Sequence, residues 1–342
     1  MIWLTLRQFR VQGAVVFAGI AALCAVLAVT GPGLADEYAT GVASCTSEAA
    51  CTEFAMRFID DHQYFYGALI AIVISGPGVL GAFWGAPLIT REIEAGTHRL
   101  AWNQGVTRSR WLAVKLGLVG LASAAAAGIA VFAVDWWADP LDTAAAERAP
   151  RITPLLFDAH GVVPVAYAAF AFVLGVTVGV LVRRTLPAMA ITLAVFAAVQ
   201  IAMPLWVRPH IIPAERATVA ITSENLESLM LGPNSLVVRT KAESGAWTIS
   251  NHTVDRSGRE VAALPASIGT GACAPPPPDA QTPPGPPRGC FDTIARHGYR
   301  QKVLYQPAER FWPLQWAETG LFAVLTLGLT GFCFYWTRRR IS

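Results

Sequence analysis

The sequence predicts an all-α polytopic membrane protein of six transmembrane helices, with a small mixed domain inserted between the fifth and sixth. Three observations carry that reading. The chain has 342 residues, 54% of them hydrophobic and only 14% charged, with a mean hydropathy of +0.45. A soluble domain carries about 25% charged residues, so water is a poor solvent for this surface. The apolar residues fall into six uncharged runs of bilayer length, and four basic clusters stand before the first run, after the last and in the alternate connections between them.

The first run extends from Val11 to about Leu34, the second from Gln63 to Thr90 and the third from Leu116 to Val134. The fourth covers Gly161 to Val182, the fifth Thr185 to Val207 and the sixth Thr319 to Thr337. Backbone amides in hydrocarbon need internal partners, so each run is expected to be helical. The first run is too long for a signal core, and five more spans follow, so retention as an anchor outweighs cleavage after Ala35. Ser75-Gly76-Pro77-Gly78 interrupts the second run. Proline removes a backbone bond there, which gives either a hinge or a static packed kink.

Arg7 and Arg10 precede the first run, and Arg91, Arg99, Arg108, Arg110 and Lys115 separate the second from the third. Arg183 and Arg184 make the tight turn between the fourth and fifth, and Arg338, Arg339 and Arg340 follow the sixth. Residues 35–62 instead hold Asp36, Glu37, Glu48, Glu53, Asp60 and Asp61 against Arg57 alone. The positive-inside rule places the basic set, and with it both termini, in the cytoplasm of a plasma (inner) membrane protein.

Residues 208–318 are then extracytoplasmic and too long for a simple loop. Ser235–Thr240 and Ala246–Ser250 read as strands, and 271–290 as an irregular proline-rich stretch. An oxidising compartment favours two local disulfides, Cys45 with Cys51 and Cys273 with Cys290, the alternatives being cross-pairing or free thiols. Cys24 and Cys333 lie in spans and read as small apolar fillers. No cysteine–histidine spacing suggests a metal site, and nothing suggests a nucleic-acid partner.

The connection between the second and third runs carries the functional signal. It reads Glu92-Ile93-Glu94-Ala95-Gly96-Thr97-His98-Arg99, then Arg108-Ser109-Arg110-Trp111-Leu112-Ala113-Val114-Lys115. Together with Arg183-Arg184-Thr185-Leu186-Pro187-Ala188-Met189-Ala190, and with Pro307 to Trp316 ahead of the last run, it resembles the type-two ABC transporter permeases. The likeness is greatest to actinobacterial drug- or antibiotic-export permeases. It touches most of the membrane part and does not cover residues 208–300.

That resemblance implies an N-terminal elbow helix at 1–10, spans one to five at 11–207, a coupling loop at 91–115, an outer domain at 208–318, and the sixth span and tail at 319–342. Trp3, Leu4, Leu6 and Phe9 against Arg7, Gln8 and Arg10 suit an interfacial helix. The coupling loop would meet a separate ABC-type ATP-binding subunit through Arg91, Glu92, Glu94, Thr97, His98 and Arg99. ATP and Mg would be bound by that partner, since no G-x-x-x-x-G-K-[ST] occurs here. A second permease copy, identical or related, would complete the pump within membrane lipid. Spans two and five would line its cavity through Tyr66, Phe83, Trp84, Phe196, Gln200 and Met203, a ring-rich set suited to a lipophilic compound. The alternative reading of those aromatics is packing or an interfacial belt.

No clustered carboxylates or histidine pairs are visible inside the runs, with Asp135 at an outer edge and His160 before the fourth, which disfavours a proton relay. The expected function is the membrane subunit of an ATP-driven exporter of a drug or antibiotic, without catalytic activity of its own. The alternative is an ATPase-coupled mechanical or signal transmitter acting through its outer domain. A membrane-embedded enzyme lacks any catalytic constellation.

Overall fold

The computed structural model describes residues 2–97, 107–231, 235–269, 273–274 and 287–340. The chain divides into a helical unit, 1–211 with 312–342, and a second unit, 212–311.

The helical unit contains α1 (Ile2–Ser44), α2 (Glu48–Leu80), α3 (Ala86–Glu94), α4 (Arg108–Ala145), α5 (Pro154–Phe157), α6 (Val163–Val182), α7 (Thr185–Ala202) and α8 (Arg208–Ile211). The last helix, α11 (Phe311–Arg340), belongs to it from residue 312 onward. Among the described residues, six segments are long and apolar enough to cross a membrane: Ile2–Ser44, Glu48–Glu94, Arg108–Ala145, Val163–Val182, Thr185–Ile211 and Ala308–Arg340. Six spans match the expectation, but their ends differ from the apolar runs. At 1.5 Å per residue, α1 is roughly 64 Å long, about twice the hydrocarbon thickness. Residues 2–10 are therefore helical yet continuous with the first span, and the separate elbow helix expected there is replaced by one unbroken helix. Likewise 35–44 and 48–62 extend the first two spans as helix, with Ser47 capping α2 by accepting from Ala50 N at 3.3 Å.

Two wide π-helical turns, Gly81–Gly85 and Met203–Val207, join α2 to α3 and α7 to α8. The first meets α6 at backbone contact. A Cβ on Gly81 would stand 2.4 Å from the Ala171 carbonyl oxygen, and one on Gly175 2.1 Å from that of Gly81. Gly85 and Gly179 repeat the approach one turn on, against Phe172 O at 2.3 Å and Ala86 O at 2.8 Å. Two G-x-x-x-G stripes thus let two spans touch without side chains between them. Pro77 and Gly78 are buried, and a Cβ on Gly78 would lie 2.7 Å from the Phe196 ring, so the break in the second span is tightly packed.

In the second unit β1 (Glu215–Ala220), β7 (Arg300–Gln306), β4 (Trp247–Val254) and β5 (Glu260–Val261) form one antiparallel sheet in the order β1-β7-β4-β5. β2 (Leu226–Leu231), β3 (Ser235–Thr240) and β6 (Leu264–Pro265) form another, ordered β2-β3-β6. The short α9 (Ala266–Gly269) and α10 (Arg288–His297) complete it. The expected strand at Ser235–Thr240 is present, and the one expected at Ala246–Ser250 begins at Trp247 and runs to Val254. The unit has its own core, in which Leu236, Val238, Leu264 and Ile294 surround Cys273 and Cys290. Those two cysteines are disulfide-bonded. Most of 271–290 lies outside the described residues.

The expected Cys45–Cys51 bridge is not formed, and both thiols are free. Cys45 sits in the turn after α1, and its thiol donates to the Gly41 carbonyl at 3.4 Å. An orphan carbonyl of the helix end takes that hydrogen.

Candidate functional site

Contacts gather the four basic clusters at one end of the helical unit. Gln8 reaches Glu92, Arg108 reaches the Arg338 carbonyl and Arg183 the Arg340 carbonyl. The start of α1 and the end of α11 lie here. The end is organised by α3, a nine-residue helix entered from the Gly81–Gly85 turn.

Two carboxylates fasten α3 to other spans. Glu92 accepts from Gln8 Nε2 (3.0 Å) on α1 and Trp111 Nε1 (3.1 Å) on α4, and pairs with Lys115 Nζ at 2.6 Å. The Lys115 side chain is only 2% exposed, so this pair is desolvated and removing one member strands a charge. Glu94 accepts from both the backbone N (3.0 Å) and the Oγ1 (2.6 Å) of Thr185, the first residue of α7. Thr185 Oγ1 also lies 3.1 Å from Thr90 Oγ1. α3 is thereby tied to spans one, three and five. Glu92 and Glu94, expected to face a partner, are engaged inside the chain, because a carboxylate beside unfilled donors binds those first. Arg91 and Thr97 are exposed, whereas His98 and Arg99 lie outside the described residues.

The six residues expected to line a cavity are not brought together within one chain. Trp84 is buried against the rings of Phe9 (4.6 Å) and Phe17 (6.3 Å). Phe196 is buried beside Tyr167 and Gly78, and Met203 is buried too. Tyr66 donates to Asp142, Gln200 donates to the Ile74 carbonyl at 3.4 Å, and Phe83 is exposed. Trp84, Phe196 and Met203 are thus buried within the chain, and Phe196 and Gln200 of the fifth span sit against Gly78 and Ile74 of the second.

At the opposite end lies a charged network that sequence reasoning missed. Arg208 begins α8, where the fifth span ends, and is fully buried. Its Nε donates to Glu318 Oε2 (2.9 Å) and its Nη2 to Glu318 Oε1 (3.1 Å) on α11. Nη2 also donates to Asp158, and Nη1 reaches the Pro154 carbonyl at 3.4 Å. The guanidinium stacks 4.1 Å over the Phe157 ring. The Tyr167 hydroxyl on α6 donates to Glu318 and lies 3.1 Å from Asp158 Oδ1. Two carboxylates share one guanidinium and one phenolic hydrogen. Burial pushes Asp158 up to about 6; Arg208 opposes that rise and Glu318 adds to it.

Gln315, one turn before Glu318 on α11, completes the clamp. It donates to the carbonyls of Phe157 (3.1 Å) and His160 (2.9 Å), and accepts from Val162 N and Val163 N at the start of α6. His160 adds a second group nearby, its Nε2 lying 3.1 Å from Asp142 Oδ2 and 3.8 Å from Asp135 Oδ1. Burial opposes protonation of His160, but the Asp142 and Asp135 carboxylates outweigh it and raise its pKa. Clustered ionisable groups thus gather at the ends of the spans, where residues far apart in the chain converge. A cue was available: Arg208 and Glu318 are the charged residues that immediately flank the uncharged fifth and sixth runs, Thr185–Val207 and Thr319–Thr337. Among the described residues, no group of three or more His, Cys, Asp or Glu side chains could hold a metal ion.

Six membrane-length helices, with a cationic hairpin bolted to three of them, define a multi-pass membrane protein whose basic end is mechanically continuous with its spans. The family model described as "ABC-2 membrane transporter related" matches residues 17–208. The chain belongs to this family, and the match takes in the hairpin and the first five spans. No curated protein and no solved structure matches the chain. As a family member it is the membrane component of an ABC transporter and not itself catalytic, and such permeases pair with a separate ATP-binding subunit.

Proposed function

We propose that the chain is the permease of an ATP-driven exporter that moves a lipophilic compound, a drug or antibiotic, out of the cell by alternating access. Its spans lie in the plasma membrane with both termini cytoplasmic. Two ATP-binding subunits hold ATP and Mg, and a second permease copy, identical or related, supplies the other half of the translocation path. On this reading the path lies at the interface of two chains, where the exposed Phe83 is available to line it.

The observation that carries this reading is the fastening of α3. Arg91 and Thr97 are exposed at the hairpin, while Glu92 and Glu94 lock the same helix to spans one, three and five. Force applied to the hairpin by a partner is thus delivered to half of the bundle at once. The Gly81–Gly85 contact with α6 extends it to the fourth span. Glu94 is a transmitting residue here rather than a partner contact.

The test uses the complex with its ATP-binding subunit in proteoliposomes. Glu94→Gln and Thr185→Ala are expected to leave the complex assembled and hydrolysing ATP, while ATP-driven export falls, since each weakens the Glu94–Thr185 link between α3 and α7. Export unchanged in both variants would remove α3 from the coupling path.

A further inference from the structure

We infer that the crevice between the start of α1 and α3 is a binding site for the phosphate headgroup of an anionic phospholipid. The crevice holds about 210 Å³ and lies at the basic end of the bundle. Gln8, Gln12 and Arg91 line it with polar groups, and Phe9 and Leu88 with apolar ones. Arg91 is exposed and makes no ion pair with any described residue. Glu92 also borders the crevice, but both its oxygens are engaged, by Gln8 and Lys115 on one and Trp111 on the other. The crevice therefore presents one uncompensated guanidinium, a group whose planar fork matches a phosphate.

The surroundings favour an anion held at a membrane surface. Arg7 and Arg10, each next in sequence to a lining residue of α1, border a separate shallow hollow with Trp3 and Leu6 on another face of that helix. Arg108, Arg183 and Arg338 converge on the same end. Basic pockets between helices at the cytoplasmic interface attract anionic headgroups, and an acyl chain needs apolar wall beside the charge. Phe9 and Leu88 supply that wall. A lipid seated here spans the gap between α1 and α3 on the side that the Gln8–Glu92 bond leaves open. Free phosphate shares the headgroup chemistry but has no use for the apolar wall.

The test is native mass spectrometry of the full chain in detergent with added phosphatidylglycerol or phosphatidylcholine. The wild type is expected to retain phosphatidylglycerol preferentially. Arg91→Gln should lower that retention about fivefold, the worth of one cation at a membrane surface, and Arg91→Lys should keep most of it. Millimolar inorganic phosphate should not displace the lipid. Equal retention of the two lipids by the wild type, or displacement by phosphate, overturns the assignment even if Arg91→Gln does not fold. An equal loss in Arg10→Gln would reveal a diffuse field and overturn the site as well.

Discussion

At the residue scale, Arg208 is the most heavily engaged side chain of the helical unit. Its guanidinium holds Glu318 in a fork, meets Asp158 and lies over Phe157, all away from water. Replacing it leaves two buried carboxylates without a cation. Arg208→Met should therefore cost about 3–5 kcal/mol, read as a lowered Tm in detergent. The same network sets a pH dependence. Asp158 titrates near 6 when folded, above the roughly 3.9 of an unfolded aspartate. A raised carboxyl binds its proton more tightly in the folded chain, so its stabilising contribution is complete below about 3.9 and is lost as pH rises through about 6. Acidification from pH 7 to 5 should raise the Tm through this group. Asp158→Asn, which cannot titrate, should flatten that rise, and an unaltered slope would refute the role given to Asp158.

At the scale of elements, the tightest contact joins the Gly81–Gly85 turn to α6. A methyl on Gly175 would overlap the Gly81 carbonyl, so Gly175→Ala must separate two backbones or unwind a turn. A loss of about 1–3 kcal/mol is expected. Gly117 on α4 provides the contrast, since nothing lies within 4 Å of its added Cβ. Gly117→Ala should be neutral or gain up to about 1 kcal/mol from helix propensity. Comparing the two melting curves isolates the contact from the residue type. These cases also mark what the sequence could disclose. Six spans were legible because lipid demands long uncharged runs, and Ser235–Thr240 was legible because its residues are strongly β-forming. The ends of α1 and α2 were not, since polar helix continuing beyond the bilayer leaves no mark in hydropathy. The carboxylates Glu92 and Glu94 could be singled out in the sequence, but their partners Lys115, Trp111 and Thr185 are long-range choices made by packing.

For the whole molecule, the issue is what the second unit contributes. It owns a separate core and a disulfide, as a domain with its own task would, which is the specific support for the transmitter reading. The helical unit owns the fastened hairpin and the glycine contact, neither of which involves residues 212–311. The register of the first sheet allows the two to be separated cleanly. Ala220, the last residue of β1, is the antiparallel partner of Arg300, the first of β7. Excising 221–299 and closing the gap with an Asn-Gly turn would leave a β1–β7 hairpin, since that dipeptide favours a two-residue connection. The spans and the hairpin-coupled end are untouched by this cut. In proteoliposomes with the ATP-binding subunit, the shortened chain is expected to keep ATP-driven export, because the path and its lever both lie in the helical unit. If export disappears while the complex still assembles and hydrolyses ATP, the working part is the excised domain and the chain is a transmitter. A permease has no reason to stop when a separately folded insert is removed at its own strand boundary.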